Sequence, residues 1–286
     1  NMSLYSPFDY ILDNRLSYYE SLYDIKVHEG KSRFRQADRE RSLKILMRIN
    51  LLKRLESSVE SFRMTLSKIA EQINSILLAI ENFEKNGINN SYEDLEVSNY
   101  DSDENVEDFL NDDFNIGSKV KISLKDMNTI GWKQDLLMDL EILNSLLSEI
   151  SMVTPEHDLK LQELIKLIAN KINHPINGNN KKIIIFSAFA DTANYLYKNL
   201  ALPLKQKYNL DTAKVTGSGS NECTLNIDKD FNNLLINFSP KSKHRESILP
   251  DATEEIEVLI ATDCISEGQN LQDCDYLINY DIHWNP

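Results

Sequence analysis

The run VLIATDCISEGQNLQDCDYLINYDIHWNP, Val258 to Pro286, constrains this chain more than any other stretch. Val258, Leu259, Ile260 and Ala261 are uniformly apolar, so they read as a strand buried on both faces, as in a parallel sheet. Thr262, Asp263, Glu267 and Asn270 then gather beside Gly268 at the carboxyl end of that strand, where open α/β sheets bind ligands. A second strand, Tyr276 to Tyr280, carries Asp281, Trp284 and Asn285 to the same edge.

Upstream, the second half of the chain alternates strands and helices. Lys182 to Phe186 is a short apolar run of the parallel-sheet type, followed by Ser187 and by Asp191 as N-cap for a helix over Thr192 to Leu200. Asp211 to Thr216 reads as the next strand, ending at Gly217, and Leu225 to Phe238 is compatible with a helix. Strand, turn and helix repeated in this way predict an α/β fold with a doubly wound parallel sheet. The break at Val153 to Glu156 predicts another helix with Thr154 as N-cap and Pro155 at its first position. Leu161, Leu164, Ile168 and Ile172 give that helix one apolar face. The domain boundary is placed here, dividing the chain into 1–154 and 155–286; 286 residues are enough for two units.

The first half is helical. Leu52, Leu55, Val59, Phe62, Leu66, Ile69, Ile73, Ile76, Ile80 and Phe83 follow steps of three and four, the spacing of a coiled-coil seam. An unbroken helix over this stretch would be about 48 Å long. Trp132, Leu136, Leu140, Leu143, Leu147 and Ile150 form a second stripe, and the two are expected to pair as an antiparallel hairpin. Between them, 84–118 is expected to be a mobile acidic loop, with a short strand over Lys119 to Asp126.

Charge is unevenly spread. The chain carries −14, but 84–113 holds eleven acids against Lys85, a net of −10, leaving −4 for everything else. Residues 26–54 go the other way, with ten Lys or Arg against Glu29, Asp38 and Glu40. Within them Arg41, Lys44 and Arg48 share a helix face and suit contacts with phosphate, although such a face also serves simply as a solvated surface. Cys223, Cys264 and Cys274 show neither pairing nor zinc spacing, which fits a reducing, cytoplasmic setting. No histidine pair has zinc spacing, no serine sits in a nucleophile elbow, and no apolar run is long enough for a bilayer, so neither metal site nor membrane is expected.

The order Thr262-Asp263, Glu267-Gly268-x-Asn270-Leu271, then Tyr280-Asp281-x-x-Trp284-Asn285-Pro286 resembles the fifth conserved motif and following segment of superfamily 2 helicases. It looks closest to bacterial Swi/Snf-type ATPases, including those that recycle RNA polymerase. KIIIFSAFADT and TAKVTGSGS resemble the fourth motif and the next strand of the second RecA-like lobe. FDYIL, LLKRLESSVESFRMTL and WKQDLLMDL resemble a helical insertion between the two lobes of the same ATPases.

The resemblance implies ATP and Mg2+ as cofactors of the intact protein and nucleic acid, chiefly duplex DNA, as its track. It places Gly268, Asn270 and Glu267 at the nucleotide, although RNA helicases of the superfamily often carry arginine at the position of Glu267. Ser187, Gly217 and Thr262 match positions on the nucleic-acid backbone, where hydroxyls and N–H groups position without reading sequence. Asp281 and Trp284 match the segment that couples nucleotide state to grip; Trp284 would serve equally as a core anchor. Arg245 is either a nucleic-acid contact or a surface arginine.

Nucleotide hydrolysis also needs a phosphate cradle, a magnesium ligand and a cation for the developing charge. The chain has no G-x-x-x-x-G-K-S/T loop and ends ahead of the arginine-rich sixth motif, so alone it is expected to hydrolyse no ATP and to need a first RecA-like lobe. The competing expectation is a non-catalytic binding module whose helical hairpin recruits a protein or nucleic acid.

Overall fold

The computed structural model describes residues 1–27, 32–86, 95–96, 121–217, 219–265 and 269–282. The described residues fall into two compact units. The first takes those of Asn1–Lys53, Arg63–Ser102 and Val106–Met152; the second takes those of Arg54–Phe62 and Val153–Pro286.

In the helical unit, 3-10 turns at Ser3–Tyr5 and Pro7–Tyr10 lead into α1 (Asp13–Tyr23). An antiparallel pair, β1 (Ile25–Val27) and β2 (Ser32–Phe34), precedes α2 (Gln36–Ser57) and α3 (Val59–Asn86). A second pair, β3 (Leu95–Glu96) and β4 (Lys121–Ile122), precedes α4 (Thr129–Ser151). The unbroken helix expected from Leu52 to Phe83 is not formed, because the chain breaks at Ser58. There the Ser61 N–H donates to Ser58 Oγ at 3.0 Å, which caps α3 and competes with continuing the helix. Leu52 and Leu55, ahead of the break, are 67% and 44% exposed, so the apolar seam is not continuous.

Beyond the break the stripe is buried. Ile69, Ile73, Ile76 and Ile80 pack with Leu4, Phe8, Ile11, Trp132 and Leu136 in one core. Each such side chain contributes roughly 1.5–3 kcal/mol by leaving water. Lys133 Nζ lies 3.0 Å from Glu84, so the start of α4 lies beside the last turn of α3. Of the six apolar positions expected on α4, only Trp132 and Leu136 are fully buried. Asn128 caps α4 through the Gly131 N–H, and the Trp132 indole N–H donates to the Ser3 carbonyl at 3.2 Å.

The second unit is α/β, a mostly parallel RecA-like sheet with helices on both faces. Its elements are α5 (Leu159–Asn173), β5 (Ile183–Phe186), α6 (Ala190–Tyr208), β6 (Thr212–Val215), β7 (Glu222–Cys223), α7 (Phe231–Phe238), α8 (Arg245–Ile248), β8 (Val258–Ala261) and β9 (Leu277–Asn279). The sheet order is β7-β6-β8-β5-β9, parallel except for the edge strand β7. Side-chain alternation accounts for the two cores. Ile183, Ile185, Val258 and Ile260 face Leu164, Ile168, Leu196 and Leu200 of α5 and α6. Ile184, Leu259 and Ala261 face Leu234, Leu235 and Phe238 of α7.

Two helix starts differ from the sequence expectation. Thr154 does not cap α5: Thr154 to Asp158 forms its own turn, and Asp158 Oδ1 accepts the Leu161 N–H at 3.0 Å. Asp191 does not cap α6, which begins two residues earlier than expected, at Ala190 with Phe189 at the N-cap; Asp191 pairs instead with Arg54 at 3.0 Å.

Candidate functional site: the carboxyl edge of the sheet

Parallel strands finish at one edge, and here three hand over to a polar residue and one to a glycine. In spatial order these are Gly217 after β6, Thr262 after β8, Ser187 after β5 and Asp281 after β9. The ladder extends one residue past each strand: Thr262 N–H donates to Val215, Ser187 N–H to Ala261, and Tyr280 N–H to Phe186. These bonds fix the level at which Thr262 and Ser187 leave the sheet, with Asp281 one residue beyond Tyr280.

They join as two pairs. Thr262 Oγ1 accepts the Gly217 N–H at 3.3 Å, with Gly217 exposed and Thr262 nearly buried. Asp281 Oδ2 accepts the Ser187 hydroxyl at 2.8 Å while Oδ1 accepts the Ala188 N–H at 2.7 Å. Ser187 is fully buried, so its hydroxyl is committed to Asp281 and not presented at the surface. Of this pair of pairs, only the Gly217 end is exposed.

Asn270 is exposed, and its amide donates to the Ser242 carbonyl at 3.4 Å. The stretch around it is clamped by Asp273, which accepts the Lys241 N–H at 2.7 Å and both the N–H and hydroxyl of Ser242. Burial pushes the Asp273 carboxyl up, but these donors outweigh it and hold the group below its usual range. Lys243 Nζ adds a bond to Gln269 Oε1 at 2.7 Å. Glu267, Gly268 and Trp284 lie outside the described residues.

The segment Arg54–Phe62, where α2 meets α3, belongs to this unit and reaches the same edge. Ser57 Oγ lies 2.5 Å from Asp281 Oδ2 and 2.7 Å from Thr192 Oγ1, and Ser58 Oγ lies 2.8 Å from Thr192 Oγ1. Arg54 pairs with Asp191 and lies 4.8 Å over the Phe189 ring. Burial lowers the Arg54 guanidinium from its ordinary value, against the opposing pull of Asp191. Lys160 Nζ donates to the carbonyls of Glu56 and Ser57 at 2.6 and 3.0 Å, satisfying the end of α2. Sequence reasoning did not find these residues. The available signal was the tandem Ser57-Ser58 inside an otherwise apolar seam.

The basic positions of α2 are partly neutralised. Arg41 lies 3.3 Å from Asp38 and Lys44 3.0 Å from Asp9, while Arg48 is exposed. Arg54 of the same basic stretch is buried in its ion pair. Arg245 is neither a surface arginine nor a free one: it is buried and donates to the Glu254 carbonyl at 2.7 Å and to Asn237 at 3.3 Å. Among the described residues Cys223, Cys264 and Cys274 form no disulfide. Among the described residues no group of three or more His, Cys, Asp or Glu could hold a metal ion, and no helix is long and apolar enough to cross a membrane.

Residues 159–286 match the family model described as helicase conserved C-terminal domain, which supports a helicase-type role for the α/β part of the chain. At finer grain, a stretch of 32 residues is 59% identical to a protein of Bacillus subtilis (strain 168) named "Uncharacterized ATP-dependent helicase YqhH". That stretch is 11% of this chain and 6% of the relative, so the likeness spans a small part of either.

Proposed function

We propose that the α/β unit is the second motor lobe of an ATP-dependent helicase or translocase of superfamily 2, of the Swi/Snf type, acting on duplex DNA. The observation that carries this reading is the line of Gly217, Thr262, Ser187 and Asp281 along one sheet edge, inside the residues that match a helicase domain. A sheet that served only as a scaffold has no need of three polar residues and a glycine turn there. In this reading Gly268, Asn270 and Glu267 face the nucleotide when the lobe closes on a first RecA-like lobe. The exposed turn at Gly217, held from beneath by Thr262, meets the nucleic-acid backbone, Ser187 acts from behind by holding Asp281, and Asp281 with Trp284 relays closure into grip. Bound ATP with Mg2+ supplies the free energy and the leaving phosphate. In this reading magnesium is held with the ATP phosphates at the first lobe. The helical unit offers a surface for a protein partner, and Arg41, Lys44 and Arg48 add phosphate contacts.

The test is ATP turnover by the full-length protein, alone and with duplex DNA, single-stranded DNA or RNA. Stimulation by duplex DNA is the expected result, with this chain alone inactive. Absence of turnover in every condition would leave a binding module in its place.

A further inference from the structure

The hydrogen-bond chain behind Asp281 has only one consistent direction. Asp281, as a carboxylate, can only accept, so Ser57 must donate its single hydroxyl proton to Oδ2, at 2.5 Å. Ser57 Oγ then accepts from Thr192, at 2.7 Å. With its proton so used, Thr192 accepts from Ser58, at 2.8 Å. Ser58 Oγ in turn accepts the Ser61 N–H in the first turn of α3. Ser57, Ser61, Thr192 and Ser187 have exposures of 0%, Ser58 of 3% and Asp281 of 4%, so water does not compete for these bonds. Buried chains of this kind polarise along their length and hold one geometry. Arg54 on Asp191 and Lys160 on the α2 carbonyls anchor the segment on either side, so Ser57 is held in place and not merely near.

We infer that Ser57 is a positioning residue for the motor: through its hydroxyl it fixes the Asp281 carboxylate that links nucleotide closure to nucleic-acid grip. The inference rests on the motor reading above. Ser57 meets neither nucleotide nor nucleic acid in that reading. Its loss therefore leaves basal turnover in place and weakens the response to the track.

The experiment uses the full-length protein as wild type, Ser57→Ala, Ser57→Thr and, as a volume-matched cut one link back, Thr192→Val. Two quantities are read: the ratio of DNA-stimulated to basal ATP turnover, and hydrogen exchange at the Ala188 amide that Asp281 accepts. For Ser57→Ala the stimulation ratio is expected to fall about tenfold, the scale of a missing hydrogen bond to a charged group. Basal turnover stays put, Ala188 exchange accelerates, and Ser57→Thr recovers both. Thr192→Val, which leaves Ser57 its bond to Asp281, gives a smaller change in the same direction and supplies the test if Ser57→Ala does not fold. A stimulated wild type with the Ser57→Ala ratio and exchange both unchanged overturns the positioning role and leaves the motor reading standing. Basal and stimulated turnover falling together also overturns it, as the mark of a structural residue. A wild type without turnover in any condition overturns the motor reading and the coupling role with it, while Ala188 exchange still shows on its own whether Ser57 holds Asp281.

Discussion

Glu40 lies 5% exposed, its carboxyl accepting the Phe8 N–H at 3.1 Å and a Gln36 amide bond at 3.4 Å. Burial pushes its pKa up to about 8, with Asp9 adding to the rise and the two donors and Lys44 opposing it. Between the ordinary carboxyl value of 4.5 and about 8, the folded helical unit therefore binds a proton that the unfolded chain has released. Stability declines across that window as pH rises. Urea midpoints taken at pH 5 and pH 8 should show the decline in wild type and a flatter response in Glu40→Gln; equal slopes would place Glu40 in contact with water. Arg54 behaves differently, since its side chain and that of Asp191 are only 7% and 18% exposed. Arg54→Met strands the Asp191 carboxylate and is expected to lower stability by about 3 kcal/mol, with Arg54→Met/Asp191→Leu recovering most of it. A single variant as stable as wild type would show the pair to be dispensable. Gly268→Asp should abolish ATP turnover of the full-length protein without unfolding it, because a carboxylate there would oppose phosphate across the closed cleft; near-normal turnover would remove Gly268 from the nucleotide.

At the scale of elements, α6 ends at Asn209, which takes the left-handed conformation at φ 54° while its N–H reaches the Leu204 and Lys205 carbonyls. Asn209→Ala is expected to destabilise the α/β unit by about 1 kcal/mol and Asn209→Gly to be neutral or better, read as shifts in Tm. Equal shifts would mean that the cap conformation carries no strain. What the sequence revealed of such elements depended on how local the cause was. β5 and β8 were legible because a strand covered on both faces is apolar throughout, whereas β6, with Thr212 and Lys214, was placed by the alternation of strand, turn and helix. The break between α2 and α3 was not, because Leu55, Val59 and Phe62 keep the heptad phase straight across Ser58. The polar turn is announced only by Ser57 and Ser58, whose reason to exist lies on Thr192 and Asp281. The same logic moved the start of α6: Asp191 is a good cap by composition, yet a buried arginine from far along the chain claims it. Of the candidate edge, Ser187, Gly217, Thr262 and Asp281 were placed at strand ends because the strands before them are readable, while their roles came from the family resemblance alone.

For the whole molecule, net charge is a poor guide to partners, since the basic stretch 26–54 and the acidic stretch 84–113 cancel in the total of −14. Replacing Arg41, Lys44 and Arg48 together by Ala should flatten the salt dependence of DNA binding by the full-length protein. A cation that no longer neutralises a phosphate takes up to ~0.9 off the log–log slope. The ion pairs of Arg41 with Asp38 and of Lys44 with Asp9 argue that most of the flattening comes from Arg48. An unchanged slope would make the face a solvated one. The discontinuous make-up of the α/β unit also bears on how the chain is made. Ser57 and Asp281 are 224 residues apart. At about 5–20 residues per second, the ribosome releases the serine roughly 10–45 s before the aspartate exists. Until then the α2–α3 segment has its hydroxyls and Arg54 ready for a surface that has not been synthesised. Folding of this unit is therefore deferred until Asp281 has been made, and the slow step should be closure of that long loop. A nascent chain stalled before β9 would keep the segment accessible to proteases that the finished protein resists.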